Sequence, residues 1–283
     1  MTLSSLARLA LAAAVATVFV SVAAVAQPFD GPDSADDGGD WDFFIGAGVS
    51  YEPEYEGSDK YETEALPGFQ AVWRDRFLIS PRGIGAFIVN QERLRVSASI
   101  GYGGGRKQKD SVYLTGLGDI KDGIAYNLGV QYDLGPLVAT ADVTKFGAGS
   151  KGTLVSVGLQ SEVPFGVVTG LIIPTGQSPR DAFDERGLVL TGGISVDWAD
   201  SNYNQAFFGV TPGQSAASGL SQYTAGGGAK SVNAEIGFAK ALGRNWGLTG
   251  AVTYSHLLGD AADSPIVKTQ DSLSATLAVG FSF

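Results

Sequence analysis

Apolar and polar residues alternate one for one in segment after segment of this chain, and a period of two sorts side chains onto the two faces of an extended strand. The clearest segment is Gly123 to Leu134. Ile124, Tyr126, Leu128, Val130, Tyr132 and Leu134 share one face, and Ala125, Asn127, Gly129, Gln131 and Asp133 share the other. Trp41 to Tyr51 gathers Trp41, Phe43, Ile45, Ala47, Val49 and Tyr51 on one side, with aromatics at both ends. The last segment, Leu273 to Phe283, sets Leu273, Ala275, Leu277, Val279, Phe281 and Phe283 against Ser274, Thr276, Gly280 and Ser282. Related patterns fall at 62–73, 76–90, 93–102, 137–146, 152–163, 167–173, 187–198, 231–240 and 246–258, which brings the predicted strands to twelve. Pro67 within the second predicts a bulge or a strand start there, and the third is interrupted near Pro81 and Gly83.

Strands of about 9–11 residues are long enough to cross a bilayer at a tilt, and aromatics at their ends match the girdles at the two interfaces. The chain also stops on a bare Phe283. A soluble sheet rarely ends so, because an unpaired apolar edge invites aggregation. The pattern therefore predicts an all-β fold, an antiparallel transmembrane up-and-down β-barrel of about 12 strands, with 10–14 compatible with the spacing. Its last strand pairs with its first and its apolar side faces lipid. The alternative is an ordinary edge strand at the end of a soluble domain. Long loops belong on one side and short turns on the other, but the long segments do not alternate consistently. Either 76–90 hides a turn, or 166–186 is a loop insertion and Asn202 to Val210 is a strand. The chain resembles bacterial outer-membrane proteins in its terminal strand, and that resemblance makes Phe281 and Phe283 the signal read by the barrel assembly machinery.

The first 26 residues stand apart from this pattern. Arg8 is their only charge, Leu9 to Val25 is apolar, and Ala24-Val25-Ala26 precedes Gln27 as a small-residue cleavage site. This predicts a Sec signal peptide rather than an inner-membrane anchor, since an acidic, Gly-rich stretch follows. Residues 27–40 read as a disordered acidic periplasmic lead-in, and 41–283 as the barrel, placed in the outer membrane of a Gram-negative cell. Loss of Arg8 leaves a chain even more negative than the −10 of the whole, which argues against nucleic-acid binding. With no Cys there is no disulfide, thiolate chemistry or Cys-ligated metal. Forty glycines and only 17% charged residues, against roughly 25% in a typical soluble domain, suit a barrel with a lipid-facing side.

Little in the sequence carries chemistry. His256, the only histidine, shares the parity of the apolar face near a strand end. It reads as an interfacial residue beside Tyr254, the alternative being half of a phospholipase-like Ser–His pair at the barrel wall. One histidine excludes a multi-His metal site. The glycine runs Gly101 to Gly105 and Gly116 to Gly118 lack the Gly-Lys pair and following helix of a phosphate loop. Arg106, Lys107 and Lys109 could meet lipopolysaccharide phosphates if external, or a murein enzyme if periplasmic, or simply be solvated. Glu52, Glu54, Glu56, Asp59, Glu62 and Glu64 lack the spacing of a divalent-cation loop and read as solvated. No cofactor is called for.

Several segments together resemble the MipA/OmpV family, the MltA-interacting outer-membrane proteins. They are Tyr55-Glu56-Gly57-Ser58, Gly116 to Ile120, Asp197 to Tyr203, Phe207 to Thr211, Gln214 to Leu220 with Tyr223, Gly226 to Gly228, Lys230 and Ser231, and finally Leu257 to Val267. The resemblance covers most of the chain after the leader. It departs at Phe146 to Gly152, where Ala148 and Ser150 replace a His-Gly-Gly-like run, and at Val167 to Glu185, which looks inserted. It implies a non-enzymatic scaffold joining a lytic transglycosylase to a penicillin-binding protein, in contact with outer-membrane lipid and lipopolysaccharide. Other members are treated as surface antigens, adhesins or envelope-stress proteins. A narrow passive or gated pore is the second reading, and a wall-facing hydrolase the third. Gln214, Ser215, Ala217, Gly219, Gly259, Asp260, Asp263 and Pro265 lie in the family-like segments. Their small neighbours favour close packing, against a partner or as a plug in the barrel mouth.

Overall fold

Antiparallel ladders link each strand to the next, and the last returns to the first. In a computed structural model of the chain, which describes residues 40–74, 76–81, 83–164, 188–242 and 245–283, the strands are β1 Trp41–Pro53, β2 Tyr61–Trp73, β3 Phe77–Ser80, β4 Gly83–Asn90, β5 Leu94–Gly103, β6 Gly123–Asp133, β7 Val138–Phe146, β8 Thr153–Pro164, β9 Leu188–Ala199, β10 Gly228–Ala241, β11 Trp246–Leu257 and β12 Asp271–Ser282. They form one closed barrel of twelve strands in sequence order. The expected leader and nearly all of the lead-in lie outside the described residues.

The count agrees with the sequence pattern, but the partition differs. Segment 76–90 is two strands, paired from Phe77↔Ala86 to Ser80↔Gly83. Pro81 has no N–H to give a ladder, and Gly83 takes φ +128° where a Cβ would strike the carbonyl of Ile100. The expected strand 167–173 lies outside the described residues, and β8 pairs directly with β9 from Leu154↔Ala199 onward. The alternative strand at Asn202 to Val210 is a helix instead (Ser201–Phe208). Tyr203, Asn204, Phe207 and Phe208 are its buried residues, and a recurrence three to four residues apart is the helical period.

Outward positions are the ones the alternation selects. Ile45, Val49, Ile124, Tyr126, Leu128, Ile194, Val196, Leu273 and Leu277 are all exposed on the lipid side. Aromatic rings cluster at the end that carries both barrel termini: Phe43 stacks on Trp41 at 5.6 Å and on Phe283 at 5.5 Å, and Trp246 meets Phe281 edge-on at 5.1 Å. At the opposite end Tyr51 stacks on Tyr61 at 5.0 Å. Inside, Phe44 lies over Gly46 and Gly280. A Cβ on Gly280 would come within 2.2 Å of that ring, so the wall is bare where the aromatic covers it.

Phe283 closes the seam. Its N–H donates to the carbonyl of Phe43 at 3.0 Å and its carbonyl accepts from Phe43 N–H at 3.1 Å, next to the β1–β12 ladder. Deleting Phe283 removes that pair and one ring of the girdle. The expected result is slow insertion and a persistent unfolded band in heat-modifiability gels. Folding at the wild-type rate would rule out a role for this residue in closure.

Candidate functional site

Among the described residues the connections sort by length onto the two ends of the barrel, the tight turn from β3 to β4 at the long-loop end being the exception, and the link 165–187 between β8 and β9 lies outside the described residues. Residues 54–60, 104–122, 147–152, 200–227 and 258–270 leave from one end, whereas 91–93 and 134–137 turn at the end that holds Trp41 and Phe283, where β2 also passes to β3 and β10 to β11. The long connections fold together as a cap. Its helices are α1 Ser201–Phe208, α2 Pro212–Ser218 and the single turn α3 Gly259–Ala262, so the segments expected to be irregular at 199–229 and 259–271 are partly helical.

Local chemistry sets the two longer helices. The Asp200 carboxylate caps α1 by accepting from Tyr203 N–H at 2.9 Å. Thr211 and Gln214 form a capping box at α2, with Pro212 in its first turn and Gly219 left-handed (φ +78°) at its end. The buried face of α1 then packs on strand ends. Tyr203, Phe207 and Phe208 join Phe146, Leu154, Ala199 and Leu257 in one apolar cluster at the barrel mouth. A second cluster joins Tyr55, Leu114, Leu117, Val210 and Ile266, drawn from four of the long connections.

Beneath this cap sits a charged group whose members, Lys230, Glu56 and Asp197, fall in the family-like segments but were not brought together by the sequence reading. Lys230 is 1% exposed, and its Nζ donates to both oxygens of Glu56 at 3.0 and 3.1 Å. It also lies 3.9 Å from Asp197. Asp197 in turn accepts from the Ser231 hydroxyl at 3.0 Å and from the Asn233 amide at 3.1 Å. The Tyr203 hydroxyl donates to Glu56 at 3.3 Å, and burial together with the neighbouring carboxylates pushes that phenol well above its ordinary range.

Lys230 escapes the alternation because it is the extra residue of a β-bulge. β9 and β10 pair at Ala229↔Trp198 and then Ser231↔Asp197, leaving Lys230 unopposed. The bulge turns inward a side chain that parity with Val232 would send to lipid.

Arg106 lies on the same side of the mouth. It is 7% exposed and donates from Nη1 to the carbonyl of Phe207, while Nε and Nη2 are buried without a partner. Burial lowers its pKa to about 10, so it stays charged at neutral pH. Arg106 is therefore not available to lipopolysaccharide, in contrast to the surface cluster expected with Lys107 and Lys109. A cavity of about 100 Å³ opens between Arg106 and the β1–β2 wall, where Glu52, Glu54 and Glu62 are found.

The family-like residues serve the cap itself. Gln214 caps α2 and reaches the carbonyl of Leu117; Ser215 donates to the carbonyl of Leu220; and the backbone of Ala217 lies where a Cβ on Gly116 would touch it. Gly219 and Gly259 supply positive φ at helix ends. Asp260 accepts from Gly226 N–H at 2.6 Å, Asp263 ends α3, and Pro265 precedes Ile266, whose carbonyl accepts from the Tyr55 hydroxyl at 3.0 Å. His256 hydrogen-bonds Asp271 at 2.8 Å on the barrel exterior, beside the Tyr254 hydroxyl that donates to the same carboxylate. Glu56 of the acidic series is taken by Lys230, and no three carboxylates converge as a metal site among the described residues.

An 81-residue segment is 33% identical to the MltA-interacting protein of Escherichia coli (strain K12) and, equally, to that of Shigella flexneri. The match takes in 29% of this chain and 32% of each relative, so the chain spans about a third of the curated relatives it matches. Among solved structures, a loop-deletion form of the outer-membrane protein OmpT of Vibrio cholerae is 7% identical, with 86% of this chain and 99% of that one covered and a TM-score of 0.36. OmpF of Salmonella typhi, solved with daunomycin, is 10% identical over 86% and 97% of the two chains, with a TM-score of 0.38. The family model described as "MltA-interacting protein MipA" matches residues 45–283, which take in every strand but the first few residues of β1 and all of the cap, and the chain belongs to that family.

Proposed function

We propose that this protein is a non-enzymatic outer-membrane barrel whose long-loop end is sealed and whose short-turn end docks murein-remodelling enzymes. The observation that carries this reading is the cap: α1 and the strand ends fill the mouth with an apolar cluster, where a channel needs an open aqueous path. Outer-membrane barrels keep short turns in the periplasm and long loops outside. On that rule the turns at 91–93 and 134–137 face the murein layer and the cap faces out. The relatives named for interaction with MltA favour a lytic transglycosylase as the partner, with a penicillin-binding protein reached through it. The family-like loops then act as plug rather than docking surface, since their polar groups are engaged within the cap. Chemistry at His256 lacks support, as its hydrogen bond runs to Asp271 on the lipid-facing wall.

A photo-crosslinking residue at Glu92 or at Pro136 is expected to capture a lytic transglycosylase in intact envelopes, and one at Gly213 is not. Capture from Gly213 alone would reverse the orientation. Planar-bilayer recordings add the second arm. The wild type is expected to be silent, whereas a steady conductance raised by removing residues 201–222 would make this a gated pore instead.

A further inference from the structure

We infer that the cavity beside the cap is a binding site for a small zwitterion of the amino-acid class. Two of the residues that line it, Glu54 and Arg106, carry buried side-chain atoms without partners, and these atoms have opposite character. Glu54 Oε2 is buried and needs a donor, while Arg106 Nε and Nη2 are buried and need an acceptor. Buried groups of this kind are ordinarily satisfied, and each one left open carries a desolvation cost.

The two open nitrogens of Arg106 define the acceptor. Nε–H and Nη2–H form the side-on edge of the guanidinium, which matches the two oxygens of a carboxylate. Arg74 uses the same pair in this protein, holding both oxygens of Asp40 at 2.8 and 2.9 Å. The third nitrogen of Arg106 is already committed to Phe207, so the side-on edge is what remains.

The opposite wall asks for a cation. Glu52 and Glu62 face one another across the β1–β2 ladder, a like-charge pair that is unfavourable unless a proton or a cation neutralises it. Among the described residues neither is in a salt bridge, and Lys230, the other cation at the cavity, is occupied by Glu56. A bare anion would meet this acidic wall, and a bare cation would leave Arg106 open. A molecule with a carboxylate at one end and an ammonium at the other satisfies both. A cavity of about 100 Å³ limits it to a few heavy atoms, on the scale of alanine.

The test is calorimetric titration of the purified barrel in detergent micelles with L-alanine, using acetate and ethylamine as single-charge probes and magnesium chloride as a divalent control. L-alanine is expected to bind at least tenfold more tightly than any of the other three. Arg106→Gln and Glu54→Gln are each expected to weaken alanine binding tenfold or more, with heat-modifiable migration unchanged. Should Arg106→Gln fail to fold, Glu54→Gln and Glu62→Gln decide the matter. Absence of alanine binding to the wild type means a water-filled cavity and overturns the inference. So does acetate or magnesium binding as tightly as alanine, or alanine binding that survives in the folded variants. None of these outcomes depends on where a murein enzyme docks.

Discussion

Lys230→Met should lower the unfolding free energy by about 3–5 kcal/mol, the range for removing one partner of a buried ion pair. The reason is what remains. Glu56 and Asp197 are held by Lys230 at 3.0 and 3.9 Å, and without it two carboxylates share a mouth already lined by apolar rings. Ser231 and Asn233 still donate to Asp197, and Tyr203 still donates to Glu56, but none of them carries charge. Glu56→Gln should cost less, because Lys230 keeps Asp197 nearby. The double variant should fall between the two single changes, since Glu56→Gln removes one of the two carboxylates that Lys230→Met strands while Asp197 keeps only its neutral donors Ser231 and Asn233. Urea unfolding of the three variants in micelles gives the comparison. A single Lys230→Met variant as stable as the wild type would show that water reaches the cluster and that it does not fasten the cap.

How much of this was legible depends on whether a residue obeys a local period. Outward residues such as Leu128 and Ile194 follow a period of two set by the strand alone, and they identify the barrel and its seam at Phe283 directly. The turn hidden between Ser80 and Gly83 was signalled by Pro81 and Gly83 and stood as one of two alternatives, yet the apolar residues on both sides also read as one strand. α1 carried a helical period in Tyr203, Phe207 and Phe208, but a helix of eight residues directly after a strand gives a weak signal against the run of strands. The cluster beneath the cap was invisible for a different reason. Glu56, Arg106, Asp197 and Lys230 come from four separate parts of the chain, and only barrel closure brings them together. The bulge at Lys230 even inverts the parity by which its direction would be read. The family-like segments coincide with the cap, but the sequence does not show how the cap holds together. Thr211, Gln214 and Gly219 are helix caps, and Asp260 holds the glycine run at Gly226, which is a packing role inside the molecule.

Leu128→Arg should destabilise the barrel by about 2–4 kcal/mol, the cost of an arginine on the lipid face near the midplane. Leu128 lies at the middle of β6, opposite Ala98 on β5 and Val143 on β7, and it points outward at 45% exposure. Nothing on that face offers a counter-charge: Ile100 and Val143 are exposed apolar neighbours across the two ladders. The adjacent Asn127 points the other way, donating to Ser99 at 3.3 Å and accepting from Thr144 at 2.9 Å inside the barrel. Asn127→Leu should therefore lose those two hydrogen bonds, roughly 0.5–1.5 kcal/mol each, without any lipid penalty. Folding titrations into vesicles of two thicknesses separate the two effects. The Leu128→Arg penalty should grow in the thicker bilayer, which moves the charge farther from an interface, and the Asn127→Leu penalty should stay constant. Nitroxide labels give an independent reading, with positions 128 and 130 accessible to oxygen from lipid and positions 127 and 131 to a polar relaxant. Equal accessibility of both sets would mean that the alternation does not separate lipid from lumen, and the transmembrane reading of this barrel would fall.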